Sequence, residues 1–517
     1  MAEPLATEGA ALLGERHEVD VRAGLPREEL LAILPGYEGL IVRSGVQVDA
    51  QALAAGARLL VVGRAGVGVD NVDLDAATRA GVTVVNAPTG NTIAAAEHTL
   101  ALLYALARNV PAADASLRRG EWKRSSFTGT ELRGKTLGIV GLGKIGMTVA
   151  DRARSMEMDV IGHDPFVTEE AAAKHGVRLV PFDQLIAEAD AVTLHVPLTR
   201  STKDMVGRAQ LSTMKPGAFL VNVARGGVVD EAALAEALTE GRLGGAAVDV
   251  FSSEPPRGSP LLDAPHTVLT PHLGASTAEA QRRIAIETAE QVLDVLDGRP
   301  ARYAVNAPLL TAETARALGP FLSLATLLGR LYAQFAPDLE ALTLDVAGEL
   351  TTHDTTSLTA AVLRGLLERR TEERVNLVNA GHLARARGIE VIERRAPDAG
   401  RHASLVTLSG RSGSHAVGGT VAAGEPRLLR LADYWLDMAP ARWMLVTRHR
   451  DRPGTIGSIG LILGEADVNI SAMHLGRSGP RADALMILAL DDPVPEQVAV
   501  QIRQHPAVLD LWLIELE

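Results

Sequence analysis

Three polar side chains stand just past apolar, strand-like runs. They are Arg225 in Val-Ala-Arg-Gly-Gly, Glu254 in Phe-Ser-Ser-Glu-Pro-Pro and His272 in Thr-Pro-His-Leu-Gly. A guanidinium fork, a carboxylate and an imidazole are what the oxidation of a 2-hydroxy acid needs. Arg225 can hold the substrate carboxylate and polarise the oxygen at C2. His272 can take the hydroxyl proton as hydride leaves. Glu254 can orient the imidazole and favour its protonated form. Taken singly, each reads as well as a surface arginine, a solvated acid or a structural histidine. Their shared place argues against that. In open parallel sheets ligands bind outside the carboxyl ends of the strands, where all three fall.

The hydride acceptor has its own signature. Thr136 to Gly146 reads Thr-Leu-Gly-Ile-Val-Gly-Leu-Gly-Lys-Ile-Gly, a buried-strand run ending in Gly141, Gly143 and Gly146. Gly141 permits the turn, Gly143 lets backbone approach a pyrophosphate, and Gly146 lets the following helix pack close. Met147 to Met156 reads as that helix and Val160 to Gly162 as the next strand, with Asp164 at its end. A carboxylate there accepts from ribose hydroxyls and repels a 2′-phosphate, so NAD is expected rather than NADP.

The elements that must position these groups alternate strand and helix. Gly39 to Arg43, Leu59 to Gly63 and Val82 to Asn86 are parallel-sheet runs. Val177 to Val180, Ala191 to Val196, Ala218 to Asn222, Gly245 to Val250 and Thr267 to Leu269 continue the rhythm around the fingerprint. Thr92 to Arg108 and Ala278 to Asp297 read as long helices bridging two lobes. The fold class expected is α/β, with a Rossmann-type cofactor domain (89–273) inserted in a flavodoxin-like substrate domain (1–88 and 274–306). An α+β domain (307–440) follows. Residues 441–517 read β-α-β-β-α-β, a ferredoxin-like unit.

At 517 residues the chain exceeds one core. A net charge of −12 with no concentrated basic stripe argues against nucleic acid. There is no apolar run of membrane-spanning length and no visible signal peptide, so no membrane partner is expected. With no cysteine, thiol chemistry is excluded and a cytoplasmic location fits. No cluster of His, Asp and Glu has metal-ligand spacing, so no metal is expected. His195 is expected to line the cofactor cleft, and His98 to be packing on its helix.

These segments together resemble the D-isomer-specific 2-hydroxyacid dehydrogenases. Gly63 to Asp73, Gly129 to Leu132, the glycine fingerprint, Ala224 to Gly227, Leu261 to Asp263 and Pro271 to Thr277 carry the likeness. The resemblance is sharpest to the long, phosphoglycerate-oxidising branch with an intervening domain and a C-terminal ACT domain. It implies oxidation of D-3-phosphoglycerate to 3-phosphohydroxypyruvate with NAD, the first step toward L-serine. It implies Arg225, Glu254 and His272 as the catalytic set. It places Lys144, Ile145, Asp164, Val196, Val223, Ala224, Arg225, Asp249, His272 and Gly274 on the cofactor beside the three glycines. Arg43, Ser44, Arg64, Gly66 and Val67 would bind substrate, with Arg124 a further cation for its phosphate. His449, Asp451 and Asn469 match positions that contact L-serine as effector, and a homodimer or homotetramer is implied. Arg411, His415, Arg427 and Arg430 could form an anion site in the intervening domain, or be solvated charges. Relatives begin with an apolar strand before the Pro-Leu-Ala stretch, so either the outer sheet lacks its first strand or the start of the sequence is misplaced. Two other readings stay open: a hydroxypyruvate or glyoxylate reductase, and a dinucleotide-sensing corepressor of the same superfamily.

Overall fold

The computed structural model describes residues 1–308, 312–336, 339–411, 413 and 415–516. Four sheets organise them. The outer lobe has three parallel strands in the order β1 (Gly39–Val42), β2 (Val61–Arg64), β3 (Thr83–Asn86). Val42, Val61, Val62, Val84 and Val85 are buried, as strands covered on both faces require. No strand pairs with the free edge of β1 among the described residues; Ala2 N–H donates to Ile41 O there at 3.0 Å. The helix Ala278–Leu296 returns the chain to this lobe and packs Val292 and Leu293 against it.

The second sheet has seven parallel strands: β4 (Thr136–Val140), β5 (Asp159–His163), β6 (Arg178–Leu179), β7 (Ala191–Leu194), β8 (Phe219–Asn222), β9 (Gly245–Val248) and β10 (Thr267–Leu269). Their order is β10-β9-β8-β7-β4-β5-β6, a doubly wound sheet with its switch point beside β4. The helix after the fingerprint spans Lys144–Ser155. It starts earlier than the sequence suggests because Lys144 and Ile145 already lie in its first turn. The helix Thr92–Ala107 forms where a long helix is expected and packs its buried leucines into the cofactor-lobe core.

The α+β character expected for 307–440 is present: the helices Ala312–Phe335 and Thr356–Leu367 carry much of that core. They cover a six-stranded sheet of β11 (Ala341–Gly348), β12 (Glu390–Ala396), β13 (Ser404–Gly410), β14 (Val417–Ala422), β15 (Glu425–Leu431) and β16 (Tyr434–Met438). A loop of this unit grips the outer sheet at the end away from the cleft. Arg374 donates to Leu59 O at 2.5 Å and Asn376 to Gly81 O at 2.7 Å. The last sheet, β17 (Trp443–Arg450), β18 (Ile470–Arg477), β19 (Asp483–Leu490) and β20 (Val508–Glu515), has the ferredoxin-like order β18-β19-β17-β20.

Candidate active site

Both parallel sheets turn the carboxyl ends of their strands toward one cleft. Arg43 and Arg64 come from the ends of β1 and β2; Arg225, Asp249, Glu254 and His272 come from segments following β8, β9 and β10. His272 Nδ1 lies 2.8 Å from Glu254 Oε2, leaving Nε2 for substrate. Glu254 Oε1 accepts from Phe251 N–H at 3.2 Å, which fixes the carboxylate plane. Burial pushes the Glu254 carboxyl up, but the His272 hydrogen bond and charge and the Phe251 N–H outweigh it, so the pKa lies below its usual range. Glu254 is therefore an anion that stabilises a protonated imidazole. His272 itself has a left-handed backbone, φ 55°, unusual for a non-glycine residue and a form of strain that clusters at functional sites.

Asp249 organises that loop. It is fully buried, and its two oxygens accept from Thr270 Oγ1 (2.6 Å), Leu273 N–H (2.7 Å) and Gly274 N–H (2.9 Å). His98 Nε2 sits 3.2 Å from the same carboxylate. His98 therefore does more than pack: its helix reaches the loop that carries His272.

Arg225 crosses the cleft. Its Nε donates to Asp70 Oδ2 at 3.0 Å and its Nη1 to Ala224 O at 2.7 Å. Glycines of the outer wall make room for the side chains of Arg225 and Arg64. A methyl group at Gly68 would lie 1.9 Å from Arg225 Nη2, and one at Gly66 1.8 Å from Arg64 Nη1. Arg64 has a buried Nε with no hydrogen-bond partner among the described residues. Burial, then the like charge of Arg225, pushes its pKa down to about 10, against partial opposition from Asp70 and Glu3. A partly desolvated cation beside two more arginines has the chemistry to receive a multiply charged anion. Asn86 braces Val67, donating to its carbonyl at 2.6 Å. No hydrogen bond or ion pair joins Arg124 to this group among the described residues; it opens the exposed turn Arg124–Phe127. Ser44 is exposed beside Arg43.

The residues around the fingerprint fit NAD. A methyl at Gly146 would lie 2.0 Å from Gly141 O, and one at Gly141 (φ 93°) 2.6 Å from His195 O, whereas Gly143 faces open space. That leaves a helix N-terminus accessible to pyrophosphate. Asp164 accepts from Leu142 N–H and Phe166 N–H, both at 2.9 Å, and so braces the glycine turn while retaining lone pairs for ribose hydroxyls. Ile145 and Val223 pack into the same core, and Val196 packs on the facing one. Lys144 reaches toward the Tyr303 ring of the outer lobe, 5.6 Å from its centre. Burial pushes the His195 imidazole down to about 4, so it stays neutral beside Thr193 Oγ1 at 3.1 Å.

Sequence reasoning missed Asp70, Gly68, His98 and Asn86. Asp70 and Gly68 lie inside a segment that the sequence singles out, but only the fold shows them reaching across the cleft. Asn71 and Asp73 of that segment serve backbone: Asn71 donates to Arg43 O and Val46 O, and Asp73 caps the helix Leu74–Arg79.

The three residues expected to contact L-serine are not one cluster. His449 and Asp451 lie at one end of β17, His449 buried against Thr447 and Asp451 accepting from Arg477 and Arg481 N–H. Asn469 precedes β18, at the end where Ile470 and Trp443 both pair with Leu490, and donates to Asp491 at 2.6 Å. The separation within one chain is roughly 20 Å at strand spacing. In the preceding unit Arg427 pairs with Asp437 at 2.8 Å and Arg430 donates to Ala432 O at 3.0 Å.

Comparison with known proteins agrees with this geometry. Residues 100–274 match the NAD binding domain of D-isomer specific 2-hydroxyacid dehydrogenases. Residues 317–432 match the D-3-phosphoglycerate dehydrogenase intervening domain. D-3-phosphoglycerate dehydrogenase of Synechocystis is 44% identical over 513 residues, 98% of this chain and 93% of that one. The Archaeoglobus fulgidus protein of that name is 40% identical over 100% of this chain and 99% of its own. Among solved structures, a Thermus thermophilus protein superposes with a TM-score of 0.55 at 39% identity, covering 59% of this chain and 98% of that one. The apo structure of D-lactate dehydrogenase from Escherichia coli gives 0.53 at 27%, covering 58% and 97%.

Proposed function

The chain belongs to the D-3-phosphoglycerate dehydrogenases, NAD-dependent oxidoreductases of the D-isomer-specific 2-hydroxyacid dehydrogenase family, and on that premise we propose a role for each wall of the cleft in oxidising D-3-phosphoglycerate. Arg225 holds the C1 carboxylate and polarises the C2 oxygen. His272 Nε2 accepts the C2 hydroxyl proton, and Glu254 stabilises the imidazolium so formed. NAD, when bound, supplies the hydride acceptor. The C–H bond at C2 breaks, a carbonyl forms, and 3-phosphohydroxypyruvate leaves with one proton left on His272. Arg64, with Arg43 and Ser44, takes the phosphate. The half-buried Arg64, whose Nε is enclosed without a hydrogen-bond partner among the described residues, together with the His272–Glu254 pair, carries this reading. It favours a phosphorylated acid over glyoxylate or hydroxypyruvate.

The reaction is the first step toward L-serine, in the cytoplasm, and the ferredoxin-like unit acts as an ACT domain sensing L-serine. Because one chain separates Asn469 from His449 and Asp451, the effector site is completed by a second copy. Exposed Val110 (53%), Leu117 (58%) and Trp122 (84%) on the cofactor lobe offer an apolar face for assembly. The test is NADH formation from D-3-phosphoglycerate with and without L-serine. Turnover with serine inhibition supports the full reading; turnover of other D-2-hydroxy acids alone refutes the substrate.

A further inference from the structure

The loop after β1 carries Arg43 and Ser44 into the cleft, and its backbone is held from both sides. Three N–H groups converge on one carboxylate. Glu3 Oε2 accepts from Arg43 N–H at 2.6 Å and Val46 N–H at 3.2 Å, and Glu3 Oε1 from Gly45 N–H at 3.0 Å. On the opposite side Asn71 Nδ2 donates to Arg43 O at 2.7 Å and Val46 O at 2.6 Å. Glu3 is itself anchored, since the neighbouring Ala2 N–H donates to Ile41 O. A concave cluster of amide N–H groups is an anion receptor. Here the chain's own carboxylate fills it, from a residue far from the cleft in sequence.

We propose that Glu3 is a positioning residue for substrate binding: its carboxylate fixes the loop Arg43–Val46 so that Arg43 and Ser44 present themselves to the substrate phosphate. This rests on the substrate roles proposed for those two residues. A competing role is plain charge, because Glu3 also lies near enough to Arg64 to oppose the fall in its pKa. The two roles differ in sign. A negative charge beside an anion site weakens binding, so a charge-only Glu3 would bind substrate better once neutralised. A positioning Glu3 would bind it worse, because the amide of Gln turns donors toward N–H groups that are donors themselves.

The experiment is steady-state kinetics with D-3-phosphoglycerate on the full-length enzyme, comparing Glu3→Gln, Glu3→Ala and Glu3→Asp with wild type. Melting temperature and NADH fluorescence titration report on folding and on the cofactor site. The expected result is a KM raised roughly tenfold in Glu3→Gln and Glu3→Ala, the cost of about one charge-assisted hydrogen bond, with kcat and NADH affinity nearly unchanged. Glu3→Asp keeps the carboxylate and recovers part of the loss, and added formate partly restores Glu3→Ala by entering the emptied receptor. A KM that falls or stays the same in Glu3→Gln overturns the inference, as does a loss that formate and Asp both leave untouched. A wild type that ignores D-3-phosphoglycerate refutes the substrate reading and this inference with it. Wild-type activity with indifferent Glu3 variants refutes the inference alone.

Discussion

On the cofactor wall of the cleft the reacting side chains are already tied down. His272 is bonded to Glu254, Arg225 to Asp70 and Ala224 O, and Asp249 to four donors including His98. On the outer wall the loops are braced by Glu3, Asn71 and Asn86, but the cations they carry are not paired. Arg64 keeps a buried Nε without a partner and a pKa of about 10, and no side chain pairs with Arg43 among the described residues. With the roles proposed above, one wall is preorganised for proton transfer, where reorganisation would slow the chemistry. The other leaves its charge uncompensated until an anion arrives, and so converts substrate charge into affinity. Changes on the first wall are expected to act on kcat, and changes on the second on KM.

The largest effect expected is at His272. His272→Ala lowers kcat by about 10³-fold, within the range of general-base catalysis, while NADH titration shows cofactor affinity nearly unchanged. An equal loss of NADH binding would break the division between the walls. Next is Arg64→Gln, expected to raise KM for D-3-phosphoglycerate roughly 10- to 100-fold with little change in kcat. The wild-type KM should also rise as pH climbs toward 10, where Arg64 loses its proton, and that rise should vanish in the variant. A smaller effect follows at Glu254. Glu254→Gln removes the anion facing the imidazolium, so kcat falls about tenfold and the acid limb of the kcat/KM profile moves to lower pH. An unmoved limb would mean that Glu254 only orients the ring. The smallest is Gly68→Ala, whose methyl would displace Arg225 Nη2 from the outer side. A loss of about fivefold in kcat/KM is expected from a slightly misplaced fork.

The cofactor wall is the more legible from sequence, for a physical reason. Its glycines, Asp164, Arg225, Glu254 and His272 each sit at a strand end, and strand ends in a parallel sheet share one edge. Local pattern therefore implies proximity. Asp70 and Arg225 are brought together by the packing of two lobes, and no periodicity records that. Asn71 and Asp73 look functional because they lie in a marked segment, yet they satisfy backbone. The helices Ala312–Phe335 and Thr356–Leu367 fall in a region read only as α+β, without bounds for its elements. The residues expected to bind the effector show the limit most clearly. His449, Asp451 and Asn469 are grouped by resemblance, but the ferredoxin-like order puts Asn469 at the opposite end of the sheet from the other two.

The division between the two walls is tested most directly by comparing kcat/KM for 3-phosphohydroxypyruvate with that for hydroxypyruvate, using NADH, in wild type and Arg64→Gln. A preference for the phosphorylated acid of about 100-fold or more in wild type, collapsing in the variant, is the result predicted. Equal use of both acids by the wild type, or an undiminished preference in Arg64→Gln, would contradict it.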